Sequence, residues 1–430
     1  MVSIEDRKEK RALKVDVAII GAGPAGTATA LFLQQRGIKP VLIEKELFPR
    51  FHIGESLTGE TANFLQELGL KEEMDIHGHP VKYGVKVYGP DGKGVFQIPV
   101  MARLPEKGLR EATTWQVRRS DFDEMLLNAA LARGAKFIHG QALKPLPDNE
   151  GAVHNLLIRN SEGEIEEVET SVLIDASGRT TFLSNNGVLG RTERGSYDKQ
   201  IAFFSHVKGA VRDVGKDSSA TLIFYQKTNH WAWFIPLDQE VVSIGVVVPA
   251  TYFQDRKETK EFFFNRELHT INPNLSERIC QIEIVEEVRA ISNYSYHIRG
   301  FTGKSYLCVG DSHRFIDPIF SFGVHIAFHE AYKAAEVIEK YLQGTFRNQA
   351  NPFIDYQKYC EKGADAFQEI IDGFWANPLA FAFLAHKRYT EDFIDLFSGR
   401  VYNDASYHGL EALRELNAHN HQRTYIGDRA

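Results

Sequence analysis

Residues 15–37, VDVAIIGAGPAGTATALFLQQRG, begin with an unbroken apolar run, turn through glycines and continue as helix-forming sequence to Gly37. A strand buried on both faces needs such continuous apolarity, so the pattern predicts strand, tight turn and helix. KPVLIEKE (39–46) is a second buried strand and completes a βαβ unit starting near Lys14. ETANFLQELG reads as helix, and KYGVKVYGPDGKGVFQIPV as two strands around the turn pair Asp91-Gly92. In SDFDEMLLNAALARGAKFIHG, apolar Phe122, Leu126, Ala129 and Ala130 follow a helical period before a further strand. HNLLIRNSEGEIEEVETSVLIDASG reads as a hairpin running into another buried strand. From about 195 to 250 the chain is β-rich again. KSYLCVGDS is a late buried strand, GVHIAFHEAYKAAEVIEKYL a long helix, and the remainder is mostly helical and rich in aromatics.

One stretch within the β-rich segment stands out. NHWAWFIPL (229–237) holds two of the four tryptophans one residue apart. Positions i and i+2 of a strand face one side, so Trp231 and Trp233 enter one space. Two such rings can fill a core, hold a flat substrate or form a wall.

Composition narrows the classes. At 430 residues, 43% hydrophobic and 25% charged, the chain exceeds one ordinary core and suits two intimately joined domains. A net charge of −7 without a long basic block argues against nucleic acid as partner. Cys280, Cys308 and Cys360 are too widely spaced for a disulfide framework or a zinc site, and no metal is expected. No apolar run is long enough to span a bilayer, and the charged N-terminus is not signal-like. A cytoplasmic protein without a membrane partner is expected, with residues 1–13 a flexible lead-in.

The glycine turn carries chemistry. Gly21, Gly23 and Gly26 form G-x-G-x-x-G between strand and helix, with Ala25 in the same turn. Gly21 permits the turn, Gly23 lets backbone approach a pyrophosphate, and Gly26 lets helix pack on strand. The helix N-terminus then faces the phosphates. Glu44 ends the second strand eighteen residues after Gly26, close to the roughly 20 expected of a ribose-binding acid. A second strand-to-helix junction, LCVGDSHRFIDPIFSFGVHIAF, offers Asp311 to a sugar hydroxyl of a long cofactor, and LIDASGR is a third strand-end turn.

With these motifs the chain resembles the flavoprotein monooxygenase superfamily, which binds FAD through the first glycine turn and a Gly-Asp motif. TTWQVRRSDFDEMLL resembles the segment whose arginine approaches the cofactor, here Arg119. FPRFHIGES resembles a loop near the flavin, with Arg50, Gly54, Glu55 and Ser56. Within that superfamily, WAWFIP matches the W-x-W-x-I-P pattern of flavin-dependent halogenases, on Trp231, Trp233, Ile235 and Pro236. HPVKYGVKVYG resembles their lysine segment and places the catalytic role on Lys82, with Lys86 the less favoured neighbour. DPIFSFGVHIA resembles their halide loop, whose anion-holding amides would be those of Phe322 and Gly323. The tryptophan branch has a glutamate before the loop serine; here Phe320 precedes Ser321, which points to the phenol or pyrrole branch. His313 and Arg314 stand where the family has small residues, and His79 and His325 are candidate bases.

The resemblance implies an α/β fold: an FAD-binding Rossmann-like domain of the flavoprotein monooxygenase type (14–80, 110–185 and 285–345). It is interleaved with an antiparallel β-sheet substrate domain (81–109 and 186–284) and followed by a mostly helical C-terminal region (346–430). It implies reduced FAD from a separate flavin reductase, O2, and chloride or bromide oxidised to hypohalous acid. That species would pass a tryptophan partition to Lys82 and halogenate an electron-rich aromatic, a phenol or pyrrole, free or tethered to a carrier protein. Competing expectations are direct aromatic hydroxylation, an isoprenoid-type reductase reducing an alkene, and a flavin-binding scaffold without turnover.

Overall fold

The computed structural model describes residues 13–104, 108–194, 199–292, 295–346, 349–403 and 405–427. Of the expected lead-in, residues 1–12 lie outside the described residues, and Leu13 opens the first strand.

Two sheets organise the chain. In the first, five strands run parallel in the spatial order Lys136–Pro147, Val41–Glu44, Leu13–Ile20, Ile165–Asp175, Tyr306–Cys308. Val153–Asn160 pairs antiparallel with the outlying ends of both long strands. The first strand's apolar end is wholly buried, as are all four residues of Val41–Glu44, which is why these segments read as unbroken hydrophobic runs. Helices Pro24–Gln35 and Gly323–Leu342 pack on each other beside this sheet, with Arg119–Ala132 also against the first. The strand-turn-helix order keeps the strand ends and glycine turns together, where parallel sheets bind ligands.

The second sheet runs Val95–Pro99, Gly84–Tyr88, Thr221–Lys227, His230–Pro236, Val242–Pro249, Gln200–Lys208, and then Glu283–Ile284 and Arg289–Ser292 along one edge. All neighbours are antiparallel except Gly84–Tyr88 and Thr221–Lys227, which are parallel. His230–Pro236 is central and entirely buried. Trp231, Trp233 and Ile235 point to one side with Phe204, Ile223 and Val247. Ala232 and Phe234 point to the other, with Phe263 and Phe264 of helix Lys260–Thr270. The C-terminal helices, among them Ile354–Ala376 and Thr390–Ser398, cover the tryptophan side through Phe367, Phe374, Phe393 and Phe397.

Two segments sit apart from where the pattern along the chain put them. Val81–Lys82 does not join the second sheet but forms a ribbon with Thr114–Trp115. Arg289–Ser292, in a stretch read as nucleotide-binding, extends the second sheet instead. Among the described residues no helix is long and apolar enough to cross a membrane, and no group of three or more metal-ligating side chains occurs.

The tryptophan face depends on one absent side chain. A Cβ on Gly245, opposite Trp233 on the neighbouring strand, would lie 2.3 Å from that indole and 2.7 Å from Phe204 Cβ. Gly245→Ala is therefore expected to destabilise the protein by about 1–3 kcal/mol through overpacking. A lower Tm together with altered near-UV tryptophan dichroism would be the result; an unchanged melting curve and spectrum would contradict it.

Candidate active site

The glycine turn is built by close contact. Gly21 has φ +101°, and a Cβ there would lie 2.4 Å from the Ala176 carbonyl oxygen; one on Gly26 would lie 2.0 Å from the Gly21 oxygen. Gly23 differs: its nearest neighbour would be the Arg50 guanidinium at 3.4 Å. Gly21 and Gly26 let main chain meet main chain, whereas Gly23 leaves backbone bare at the start of helix Pro24–Gln35.

That bare backbone borders a cavity of about 490 Å³ lined by Gly21, Gly23, Ala25, Glu44, Arg50, Ser56, Arg119, Asp311 and Gly323, and by Trp231, Trp233 and Ile235. It joins the parallel sheet's strand ends to the tryptophan face of the second sheet. Glu44 accepts hydrogen bonds from the Ala22 and Glu46 amides, each 2.9 Å, fixing its carboxylate at the rim. Burial pushes the Asp311 carboxyl up to about 6. The turn bearing Asp311 is fixed too: Glu330 Oε2 accepts the Gly310 amide at 2.6 Å, and His313 Nε2 lies 3.0 Å from both Glu330 oxygens. His313 is buried and stacked on Phe301 at 3.7 Å, while Arg314 pairs with Asp365.

Arg119 donates from Nε and Nη2 to the two oxygens of buried Asp123, at 2.7 and 2.9 Å, and from Nη1 to the Ile53 carbonyl at 2.7 Å. Arg50 approaches the same carboxylate at 3.4 Å. Asp123 thus anchors two of the cavity's arginines, Arg50 and Arg119. It escaped notice in the sequence, although its i,i+4 spacing from Arg119 is a pairing signal on a helix. A cavity of about 490 Å³ with a glycine-opened backbone, the carboxylates of Glu44 and Asp311 in its lining and two anchored arginines fits a dinucleotide.

Lys82 stands just behind this cavity. Only 3% exposed, it donates from Nζ to Ser56 Oγ and to the Leu57 carbonyl, each 2.8 Å. Ser56 Oγ lies 2.7 Å from Thr221 Oγ1, which also receives a hydrogen bond from Gln116 Nε2 at 2.8 Å. Ser56 and Thr221 both line the cavity. Desolvation lowers the Lys82 ammonium to about 7. Lys86 is the opposite case: it pairs with Asp213 and Asp217, both at 2.8 Å, and these carboxylates raise its affinity for a proton despite partial burial.

The indoles of Trp231 and Trp233 lie 5.9 Å apart at 49° and line the cavity together. Trp233 Nε1 donates to Ser243 Oγ at 3.1 Å; Trp231 Nε1 has no partner among the described residues. Pro236 closes the strand, buried but outside the cavity lining.

In the 317–324 loop, Asp317 caps a short turn by accepting the Ile319 amide, and Ser321 takes the left-handed conformation at φ +61°. This reversal starts helix Gly323–Leu342, whose first amides have no carbonyl one turn back. Ser321 and Gly323 border the cavity, while the Phe322 ring turns away and stacks on Phe367 at 4.2 Å. The loop can therefore offer main-chain N–H groups to an anion while its bulky side chain serves packing. Neither candidate histidine lines the cavity: His79 packs edge-on to Phe122, and His325 Nε2 lies 2.9 Å from the Gly399 carbonyl. Burial lowers both to about 4.

Comparison with known proteins agrees with this geometry. The FAD binding domain family matches residues 14–360. A 1H-pyrrole-2-carbonyl-[peptidyl-carrier protein] brominase of Pseudoalteromonas luteoviolacea is 38% identical over 368 residues, covering 86% of this chain and 87% of that protein. A 1H-pyrrole-2-carbonyl-[peptidyl-carrier protein] chlorinase of Pseudomonas fluorescens is 31% identical, covering 93% and 92%. Among solved structures, that of a flavin-dependent brominase superposes with a TM-score of 0.88 at 35% identity, covering 95% of this chain and all of that one. With this identity over most of both chains, this chain belongs to the flavin-dependent halogenases.

Proposed function

We propose that this enzyme halogenates a pyrrole held as a thioester on a carrier protein, with Lys82 as the residue that delivers the electrophile. The observation that carries the reading is a lysine buried without a carboxylate, hydrogen-bonded to the wall of a dinucleotide cavity. The names of two relatives that align along most of their length support the pyrrole and the carrier. Phe320 before Ser321 is consistent with a substrate other than tryptophan.

Bound FAD, reduced by a separate flavin reductase and supplied with O2, provides the oxidising equivalents that convert halide to hypohalous acid. Gly21, Gly23 and Ala25 would cradle its pyrophosphate, with Gly26, outside the cavity lining, letting the helix pack against the turn behind them; Glu44 and Asp311 would serve its sugar portions and Arg50 and Arg119 its length. The amides of Phe322 and Gly323 hold chloride or bromide at a helix start, where anions are favoured. Trp231, Trp233 and Ile235, on one face of the strand that Pro236 ends, keep the arene off the cofactor while leaving the oxidant a route. In the neutral amine of Lys82 both N–H bonds are used on Ser56 and Leu57, so the nitrogen lone pair is its remaining function. In the ammonium form a third N–H is available to hydrogen-bond hypohalous acid. With a midpoint near 7, both forms are present at neutral pH.

The direct test supplies enzyme, reductase, NADH, O2 and bromide or chloride to pyrrolyl-carrier protein and to free pyrroles and phenols. Halogenated pyrrolyl-carrier is the expected product. Lys82→Ala should lower its formation by at least about a hundredfold, the scale of a lost proton-transfer or covalent group, while oxidation of reduced flavin continues. Hydroxylated product independent of halide would overturn the reading.

Burying the lysine also makes a stability prediction. Between about pH 7 and 10.5 the unfolded chain holds the Lys82 proton and the folded chain does not, so folding stability rises with pH across that window. Lys82→Met, which removes the desolvated amine, is expected to raise Tm, most below pH 7 and progressively less towards pH 10. A Tm gain independent of pH would show that the amine's charge is not what strains the fold.

A further inference from the structure

His52 lines the large cavity together with Arg50, Ile53 and Arg119. Its surface is exposed, yet burial is the largest influence on the imidazole and lowers it to about 4. The two facts meet in one place: the exposed surface is turned into the cavity that His52 lines. The ring has one free end. Nδ1 lies 2.7 Å from the Ile53 carbonyl oxygen, which only accepts, so Nδ1 carries the hydrogen. Nε2 makes no hydrogen bond among the described residues. It is a free lone pair in the neutral ring and a free N–H donor in the protonated one.

The neighbouring charges decide between these forms. After burial, Arg119 opposes a proton on the ring, Asp123 and the Ile53 carbonyl favour one, and Arg50 opposes it. A single buried carboxylate, Asp123, serves both guanidiniums. Arg50 is the less satisfied of the two. Its Nε and Nη1 are buried without a hydrogen bond among the described residues, and Glu46, 3.3 Å from Nε, is half exposed. Arg50 Nη2 is also the atom nearest to a Cβ built on Gly23, at 3.4 Å, and Gly23 holds the position that admits a pyrophosphate. Unspent donors and surplus positive charge therefore meet a bare helix start beside an imidazole whose free nitrogen can become one more donor.

We propose that His52 is a cofactor-binding residue that takes up a proton as FAD enters, its Nε2–H then joining Arg50 in holding the diphosphate. The inference rests on the cofactor placement proposed above and adds the group that completes its charge balance. The step moves one proton from solvent to Nε2 and breaks no other bond. An opposite charge close by raises a histidine by about 1–3 pH units, enough to bring this one from about 4 to the region of about 6. The bound form then holds the proton across a range where the free form does not, so FAD binds more tightly as pH falls through that range.

The experiment titrates FAD into the flavin-free full-length enzyme by calorimetry, in buffers of differing ionisation heat, which reads the protons taken up. Uptake of roughly half a proton at about pH 6 and almost none at about pH 8 is expected. Kd should be about tenfold lower at about pH 5 than at about pH 8. His52→Asn keeps a donor for the Ile53 carbonyl but has no titrating ring, and it should lose both effects. A second measurement needs no variant fold: the His52 imidazole resonance of wild type should titrate at a higher pH with FAD than without it. Asp311, pushed up to about 6 in the same cavity, remains in the variant, so uptake that survives His52→Asn belongs elsewhere and overturns the proposal. Binding by wild type without proton uptake, or a His52 resonance that FAD does not move, overturns it too. Gly23→Val separates the two readings. FAD binding left intact by that change sinks the cofactor placement, whereas binding lost there with no uptake in wild type sinks only the role of His52.

Discussion

The hydrogen bond between Ser56 Oγ and Thr221 Oγ1 joins two parts of the chain 165 residues apart in sequence. Ser56 belongs to the loop held by Arg119 at its Ile53 carbonyl, while Thr221 opens a strand of the tryptophan sheet. Lys82 and Gln116 close on this same pair of hydroxyls, so four segments meet in one buried knot. A hydroxyl can both donate and accept: Ser56 Oγ accepts from Lys82 and shares a second bond with Thr221, whose Oγ1 accepts from Gln116. If the Ser56 hydroxyl were lost, Thr221 would be left buried with a missing partner, and the lysine would keep only its bond to the Leu57 carbonyl.

The knot explains how an amine can be held where its charge is disfavoured. Two lysines four residues apart have opposite environments: Lys86 faces two carboxylates, and Lys82 faces a hydroxyl and a carbonyl. A buried cation without a counter-ion is a cost the fold does not need. Lys86 is what a structural lysine looks like in this protein. The contrast supports giving the reactive role to Lys82, because a group near its ionisation midpoint can serve either as donor or as nucleophile.

Sequence patterns carried much of this. Strands buried on both faces announced themselves as apolar runs, and the glycine turn fell between strand and helix with its close contacts at Gly21 and Gly26. The shared face of Trp231 and Trp233 followed from strand period alone. What stayed hidden was pairing across long separations. Nothing local says that Ser56 meets Thr221, or that His313 turns inward to Glu330 in place of solvent. The ribbon of Val81–Lys82 with Thr114–Trp115 is two residues long, too short to leave a periodic signal. His79 and His325 illustrate the converse limit: chemistry-bearing residues near a motif in sequence can pack into the core beside it.

The tryptophans also show why a wall must be rigid to be useful. A mobile indole would admit the arene to the cofactor or close the route to the lysine. Trp233 is fixed from two directions, by its donation to Ser243 and by the bare backbone of Gly245 opposite, where no Cβ fits beneath the ring. Trp231 is fixed by burial alone, with its N–H unsatisfied among the described residues. Such a donor at the edge of a cavity is costly in a core and useful beside an oxygen-bearing oxidant. The strand therefore combines a ring held by hydrogen bonding with a ring whose donor is still unspent. On the function proposed above, that division would let one wall both exclude the arene and guide the oxidant from the 317–324 loop towards Lys82.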